Sequence, residues 1–506
     1  MKNIFKYINL LLVVILLASC ENYLDVNTDP NNPTEVSPDL ILPVAQKFTG
    51  EIISASDEGG RRYQGLANLM MYNWSQADGF NWFPDEFKYL VTADFYDIIF
   101  EQSYYDALKQ YHLLTELEGS EYDYYEAIGI IMKSFHFQLL VDTYGDIPYS
   151  EALGRGENAT PAYDNAETIY EDLIVQLTAA IDLIDNADAQ VEEVDVDDAM
   201  FGGDMDDWKA FANSLKLRIL TRLMTNNPTT INIQTELNAI IADGSGFIMD
   251  DVGINPGYLI EEGKQNPFWN LYGWDAGLGI SMSNNATCAS DFMIDFLTTT
   301  NDPRIDYIFE EPATGHLGVM QGLLDYDVIP DQFVPANVSN LGPGILQSGT
   351  QDVVIYTLAE LYFNLAEAVQ RGFIGLPGTA EENYDDGVEA SFDYLGAPDA
   401  AGYYSQSMEN VSYTFSTDKY DAIFTQKWLA THSITAEQSW FDYNRTGYPS
   451  GQPEVSTGFP VCILGIEAGH ADRPVRLMYP ASEISVNGEN VPAQPDAFTA
   501  KIFWGL

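Results

Sequence analysis

Positive charge is what this sequence has least of. The 506 residues include 22 lysines and arginines against 76 aspartates and glutamates, a formal net charge of −54. A molecule with that field repels phosphate backbones, so nucleic acid is excluded as an expected partner. Direct docking on anionic lipid headgroups is disfavoured for the same reason. Cysteine is nearly absent: three residues, at 20, 288 and 462, do not make a disulfide-stapled scaffold. Cys288 and Cys462 are compatible with either a disulfide or two buried thiols. The five histidines (112, 136, 316, 432 and 470) lack metal-ligand spacing. No Gly-x-Ser-x-Gly elbow, Walker A loop, His-Glu-x-x-His or Cys-x-x-Cys occurs. These absences argue against catalysis, and no cofactor or metal is expected. Spacing alone does not exclude a carboxylate pair for glycoside hydrolysis, since such a pair is defined in three dimensions.

Long apolar runs are also missing. The longest, Ile8 to Leu17, is interrupted by Asn9 and is too short to span a bilayer. Behind Lys2 and Lys6 it has the form of a secretory signal. Leu17-Ala18-Ser19-Cys20 follows, in the pattern of a bacterial lipobox, where the chain is cut before a lipidated cysteine. Residues 1–19 are therefore expected to be a signal peptide and Cys20 the lipid anchor. Several acyl chains give stable attachment, at about 0.8 kcal/mol per buried CH₂. Residues 20–38, with Pro30, Pro33 and Pro38 among Asn and Asp, read as an extended tether.

Apolar content is ample: 46% of residues are hydrophobic, with 8 Trp, 31 Tyr and 26 Phe, enough for a large core. Its arrangement is helical. Tyr125, Ile128, Met132, Phe135 and Leu139 share one helical face. So do Tyr170, Leu173, Leu177, Ala180 and Ile184, and Trp208, Phe211, Leu215 and Ile219. Val354, Leu358, Leu361, Leu365 and Ala368 predict a helix over 353–371, paired with a second over 380–395. Further helices are expected near 39–55, 86–117, 289–299 and 419–430. Strands with period 2 are scarce, so the fold class is mainly α. The helix pairs resemble tetratricopeptide packing without its 34-residue period. Long Gly/Pro/Asn-rich excursions run through about 250–285, 311–350 and 443–500, and loops of that length tend to carry function.

A series of motifs runs along the chain in order. Asn27-Thr28-Asp29-Pro30-Asn31 follows the lipobox. Asp142-Thr143-Tyr144-Gly145-Asp146-Ile147-Pro148-Tyr149 closes an early helix, and the Trp208 to Arg218 stretch opens another. Asn301-Asp302-Pro303-Arg304 lies mid-chain. Later come Ala359 to Ala368, Gln426-Lys427-Trp428, Trp440 to Pro449, and Arg473-Pro474-Val475-Arg476. In these motifs the chain resembles the SusD/RagB family of nutrient-binding outer-membrane lipoproteins of the Bacteroidetes. The resemblance implies one SusD-like helical domain over 39–506, built on tetratricopeptide-like pairs with irregular excursions that carry the ligand site. It implies a binding protein, not an enzyme, exposed at the outer surface. It also implies a partner, a SusC-type TonB-dependent transporter to which glycan is delivered. A peptide-binding member of the family, a surface glycoside hydrolase and a purely structural subunit are the rival readings. The shared motifs themselves are expected to be structural: Trp208 and Trp428 in the core, Arg445 and Arg476 holding buried carboxylates or carbonyls, and Asp302–Arg304 a turn with an ion pair.

A sugar receptor needs flat rings beside short polar side chains, placed on loops where the core does not consume them. Two segments have that composition. In residues 72–84 the candidates are Tyr72, Trp74, Asp78, Asn81 and Trp82; in residues 266–275 they are Trp269, Tyr272 and Trp274. The acidic field favours a neutral oligosaccharide, unless basic residues such as Arg61-Arg62 reverse it locally. The acidic run Asp195, Asp197, Asp198, Asp204, Asp206 and Asp207 departs from the EF-hand template and reads as a solvated loop leading into the Trp208 helix.

Overall fold

A computed structural model describes residues 36–56, 59–154, 158–325, 331–451 and 458–506. The proposed signal segment, Cys20, the tether as far as residue 35 and the Asn27–Asn31 motif lie outside the described residues. No described helix is long and apolar enough to cross a membrane.

The architecture is mainly α. Asp123–Tyr144 packs between Lys109–Thr115 and Ala166–Asp185, which in turn contacts Met205–Leu223. A second group is formed by Leu358–Gln370, Ala380–Leu395 and Lys419–Thr431. Ala436–Thr446 packs against Tyr63–Met70 and so joins the late helices to the early ones. One continuous apolar core draws on residues from Ile41 to Trp504.

Helix ends follow local chemistry. Asn165, Asp204 and Thr357 accept backbone N–H bonds as N-caps, and Thr379 with Glu382 forms a capping box. Gly396, at φ 71°, ends the Ala380–Leu395 helix in the left-handed region.

Two predicted helices differ from the structure. Val353–Tyr356 is a buried strand that pairs antiparallel with Val252–Ile254, so the helix starts at Leu358. Four consecutive β-branched or aromatic residues override the helical spacing of Val354. The segment 86–117 is split into Pro84–Phe87, Asp97–Gln102, a π-helix at Ser103–Leu108 and Lys109–Thr115. Tyr89 and Tyr96, at φ 50° and 55°, break it. The short helix Ile233–Asp243 was not anticipated.

The motifs meet in a buried polar network. Arg222 donates to Asp442 at 2.7 Å, Gln438 at 2.5 Å and Asp142 at 3.2 Å. Arg445 makes a bidentate pair with Glu367, 2.7 Å on each arm, and contacts Asp442 at 3.0 Å. Lys427 reaches Asp442 at 2.7 Å, and Arg218 clamps Glu360 at 2.7 and 2.8 Å. Burial alone would raise the Asp442 carboxyl; Lys427, Arg222 and Arg445 together hold it well below the usual carboxylate range. As expected, Trp208 and Trp428 are core residues. Arg476 donates to the Tyr144 carbonyl, and Arg304 pairs with Asp302 at 2.6 Å. Cys288 and Cys462 are both buried and are not joined to each other.

The acidic run is less solvated than expected. Asp198 is buried and accepts from Gln46 at 2.6 Å, from the Trp208 indole at 2.8 Å, and from the Met200 and Gly203 amides at 3.0 Å each. Its lone pairs are spent on fixing the entry to the Met205–Leu223 helix. Asp204 caps that helix.

Candidate aromatic binding surface

The two aromatic segments come together in space. Residues Trp74–Gln76 form a strand paired antiparallel with Thr287–Ala289, which carries the first segment to the mid-chain excursion. Trp74 lies fully buried, its indole N–H donating to Ser433 Oγ at 2.8 Å. Its ring centroid is 5.0 Å from Tyr272 and 6.3 Å from Phe268, and those two rings are 4.8 Å apart. This buried trio holds residues 72–84 against residues 266–275.

Burial corrects part of the residue expectation. Tyr72, Trp74 and Tyr272 are at most 3% exposed, so their rings support the surface from beneath and offer no open face. The Tyr72 hydroxyl accepts from the Gln321 amide at 3.2 Å, and burial pushes the phenols of Tyr72 and Tyr272 up. The alternation of buried and outward rings was not readable locally, because both kinds sit in the same Asn/Gly/Pro-rich context.

The remaining candidates reach the surface. Trp269 and Trp274 are half-buried and pack on each other, ring centroids 4.8 Å apart at 40°. Asn266 caps the Pro267–Tyr272 helix by accepting from the Trp269 amide at 2.9 Å, with Pro267 in its first turn. Gly273 then turns the chain back, its N–H donating to the Trp269 carbonyl at 2.7 Å. A Cβ there would stand 2.8 Å from that carbonyl oxygen and 3.3 Å from the Trp269 ring, so the Trp pair depends on this glycine. Asp275 accepts from the amides of Gly277 and Gly279 at 2.8 Å each and shapes the following hairpin.

On the first segment Trp82 is 39% exposed and meets Phe80 edge-on, centroids 6.1 Å apart. The buried Gln76 side chain accepts from the Trp82 amide at 2.9 Å and sets the ring's position. Asn81 is exposed, and Asp78 is partly exposed while its side chain caps Gly79 at 2.8 Å. On this segment Trp82 presents an apolar ring, with the Asn81 amide and Asp78 carboxylate close to it in the chain.

Two features escaped the sequence reading. Leu278, Ile280 and Met282 extend the exposed apolar surface beside the Trp pair; their alternation in a Gly-rich loop was the available signal. Arg62 does not reverse the local field. It is buried and donates to the Glu51 and Arg61 carbonyls and to Ser56. Exposed Arg61 faces Asp85 at 3.5 Å.

Comparison with known proteins agrees with this architecture. The model of the family SusD-like_2, described as starch-binding associating with outer membrane, matches residues 30–480. A chitin-binding SusD homolog from Flavobacterium johnsoniae is similar at 23% identity and TM-score 0.73, over 92% of this chain and 98% of that one. A SusD homolog from Bacteroides vulgatus gives 22% and 0.74, over 92% and 97%. One from Bacteroides uniformis gives 22% and 0.69, over 92% and 99%. No curated protein matches the chain.

Proposed function

We propose, from the premise that this chain belongs to the SusD-like family of outer-membrane-associated starch-binding proteins, that it captures a neutral oligosaccharide at the cell surface. Residues 39–506 act as one binding domain, held to the outer membrane through acylated Cys20 and the 20–38 tether. The bound glycan passes to a SusC-type TonB-dependent transporter, and the protein itself cleaves nothing.

The observation that carries this reading is the surface pair Trp269–Trp274, preorganised by Gly273 and backed by the buried Trp74–Phe268–Tyr272 trio. Sugar rings present apolar C–H faces. Fixed aromatic platforms bury those faces at little conformational cost, Asp275 beside Trp274 supplies a hydroxyl partner, and Asn81 and Asp78 would do the same next to Trp82. The net charge of −54, with Arg62 consumed internally, favours an uncharged chain over a sulfated one.

Affinity electrophoresis in gels of neutral polysaccharides, with heparin as comparison, tests the proposal. Retardation by at least one neutral glycan, absent for heparin and without release of reducing ends, is expected. Preferential heparin retention would contradict the neutral-ligand reading, and product release would establish the hydrolase rival.

A further inference from the structure

A hollow adjoins the Trp269–Trp274 pair. It measures about 340 Å³ and opens between the Pro38–Ile53 helix, the loop around 256–264 and the start of the Pro267–Tyr272 helix that carries Trp269. That volume is near the lower limit of ligand pockets, roughly 300 Å³, so it has room for one small unit and not for a chain. Gln265 joins the two places. It lines the hollow, and its Nε2 donates to the Trp274 carbonyl at 3.3 Å. A Cβ built on Gly349 would stand 3.0 Å from that Nε2 and 3.2 Å from the Trp269 indole nitrogen. Asn270, next to Trp269 on the helix, adds a half-buried amide to the lining.

The walls are fixed by their own contacts. Asn255 accepts from the Gly257 and Tyr258 amides at 3.0 and 2.9 Å and donates to the Thr350 carbonyl at 3.0 Å and to Asp352 at 2.8 Å, which sets Tyr258 in place. The Tyr258 hydroxyl lies over Gly50 of the Pro38–Ile53 helix, 3.7 Å from where a Cβ would stand. The two lysines of the lining are each matched: Lys47 pairs with Glu51, and Lys264 with Glu261 at 2.7 Å. The hollow is thus fitted to neither an anion nor a cation. What it offers is unsatisfied hydrogen bonding. The Tyr258 hydroxyl and Gln265 Oε1 are buried with no hydrogen-bond partner among the described residues, and Gln265 is only 7% exposed. Unpaired buried polar atoms are destabilising and rare, and ligand hydroxyls would satisfy them. Burial pushes the Tyr258 phenol up, so it stays protonated and can donate as well as accept.

We propose that this hollow is the subsite that identifies the sugar: one unit of the glycan held on the Trp pair enters it, and the hydroxyls of that unit pair with Tyr258, Gln265 and Asn270. The inference rests on the glycan-binding reading above and divides its labour. Apolar ring faces are common to many sugars, so the Trp pair supplies affinity with little choice. A site built to hydrogen-bond particular hydroxyls rejects a sugar that lacks or misplaces them, because its buried polar atoms then stay unpaired.

Isothermal titration of the purified full chain with malto-, cello-, manno-, xylo- and chitohexaose tests this. The last four share one linkage and differ in the groups each ring carries. The parent protein should bind at least one of the five about tenfold more tightly than another. The double variant Tyr258→Phe/Asn270→Ala should weaken the preferred sugar about tenfold or more and the disfavoured ones less than about twofold, which flattens the ranking. Tyr258→Phe alone removes an unpaired buried hydroxyl. It should melt no lower than the parent and still bind the preferred sugar about threefold more weakly, a combination that a merely structural tyrosine would not give. An unchanged ranking in the double variant, an equal fall for every sugar, or a parent that binds the five without preference would each overturn the proposal while the glycan-binding reading stands. A parent that binds none of the five overturns it too; failure with every neutral polysaccharide in the gels would then mark the underlying reading as the part that failed.

Discussion

The interior where the late and early helices meet and the surface formed by residues 72–84 and 266–282 use opposite chemistry for opposite ends. Inside, Arg218, Arg222, Lys427 and Arg445 are sequestered with Asp142, Glu360, Glu367 and Asp442, although cations are scarce in this chain. Outside, the prominent groups at the aromatic surface are Trp82, Trp269 and Trp274 with uncharged or acidic neighbours. The contrast teaches that these four buried positive charges are structural. They fix the packing of helices distant in sequence. It also explains why so much of the family pattern falls on buried residues: a shared scaffold is specified inside, while the ligand-facing surface is free to differ.

The largest expected effect comes from breaking the interior. Arg222→Met strands Asp142 and Asp442 without that guanidinium, and loss of a partner in a buried pair costs about 3–5 kcal/mol. Chemical denaturation should show this loss, or the variant should fail to fold. Next, the comparison sharpens within the aromatic segments themselves. Trp74→Ala empties a buried site and should cost about 3–5 kcal/mol of stability. Trp269→Ala, at a half-buried ring, should cost less stability than Trp74→Ala and should in addition weaken glycan binding by about 2 kcal/mol, roughly thirtyfold. If Trp74→Ala and Trp269→Ala behaved alike in both assays, the division into support and platform would be wrong.

A smaller, pH-dependent effect belongs to the interior. Burial pushes the Glu437 carboxyl up to about 7, and Gln438 donates to it at 3.3 Å. The folded state therefore prefers the protonated acid. Stability from this site is full below about pH 4.5, falls as pH rises to about 7, and is level beyond; at about 1.4 kcal/mol per unit the loss approaches about 3 kcal/mol. Glu437→Gln should match the parent at pH 4 and exceed it at pH 8, as read by denaturation midpoints at the two pH values; a parallel decline in both proteins would assign the effect elsewhere. The smallest effect is expected at Trp82→Ala, about 1 kcal/mol of binding energy from a ring at the edge of the surface.

Much of the fold is legible in the residues. The stripes through Tyr125 to Leu139 and Tyr170 to Ile184 mark real helices: apolar periodicity runs through both, Gly145 ends the first and Asn165 caps the second. Val353–Tyr356 misled because four buried β-branched or aromatic residues fit either a helix start or a strand, and only the distant partner Val252–Ile254 decides. The aromatic segments were identifiable from composition, but the inward turn of Trp74 depends on contacts with Phe268, Tyr272 and Ser433, far away in the chain.

We propose that glycan is held by the ring pair made by Trp269 and Trp274. Titration of the Trp269→Ala/Trp274→Ala double variant against a neutral oligosaccharide that the parent protein binds is the most direct measurement. Affinity reduced at least about a hundredfold, in a variant that still melts in one cooperative transition, is the predicted result. Parental affinity in a folded double variant would contradict it.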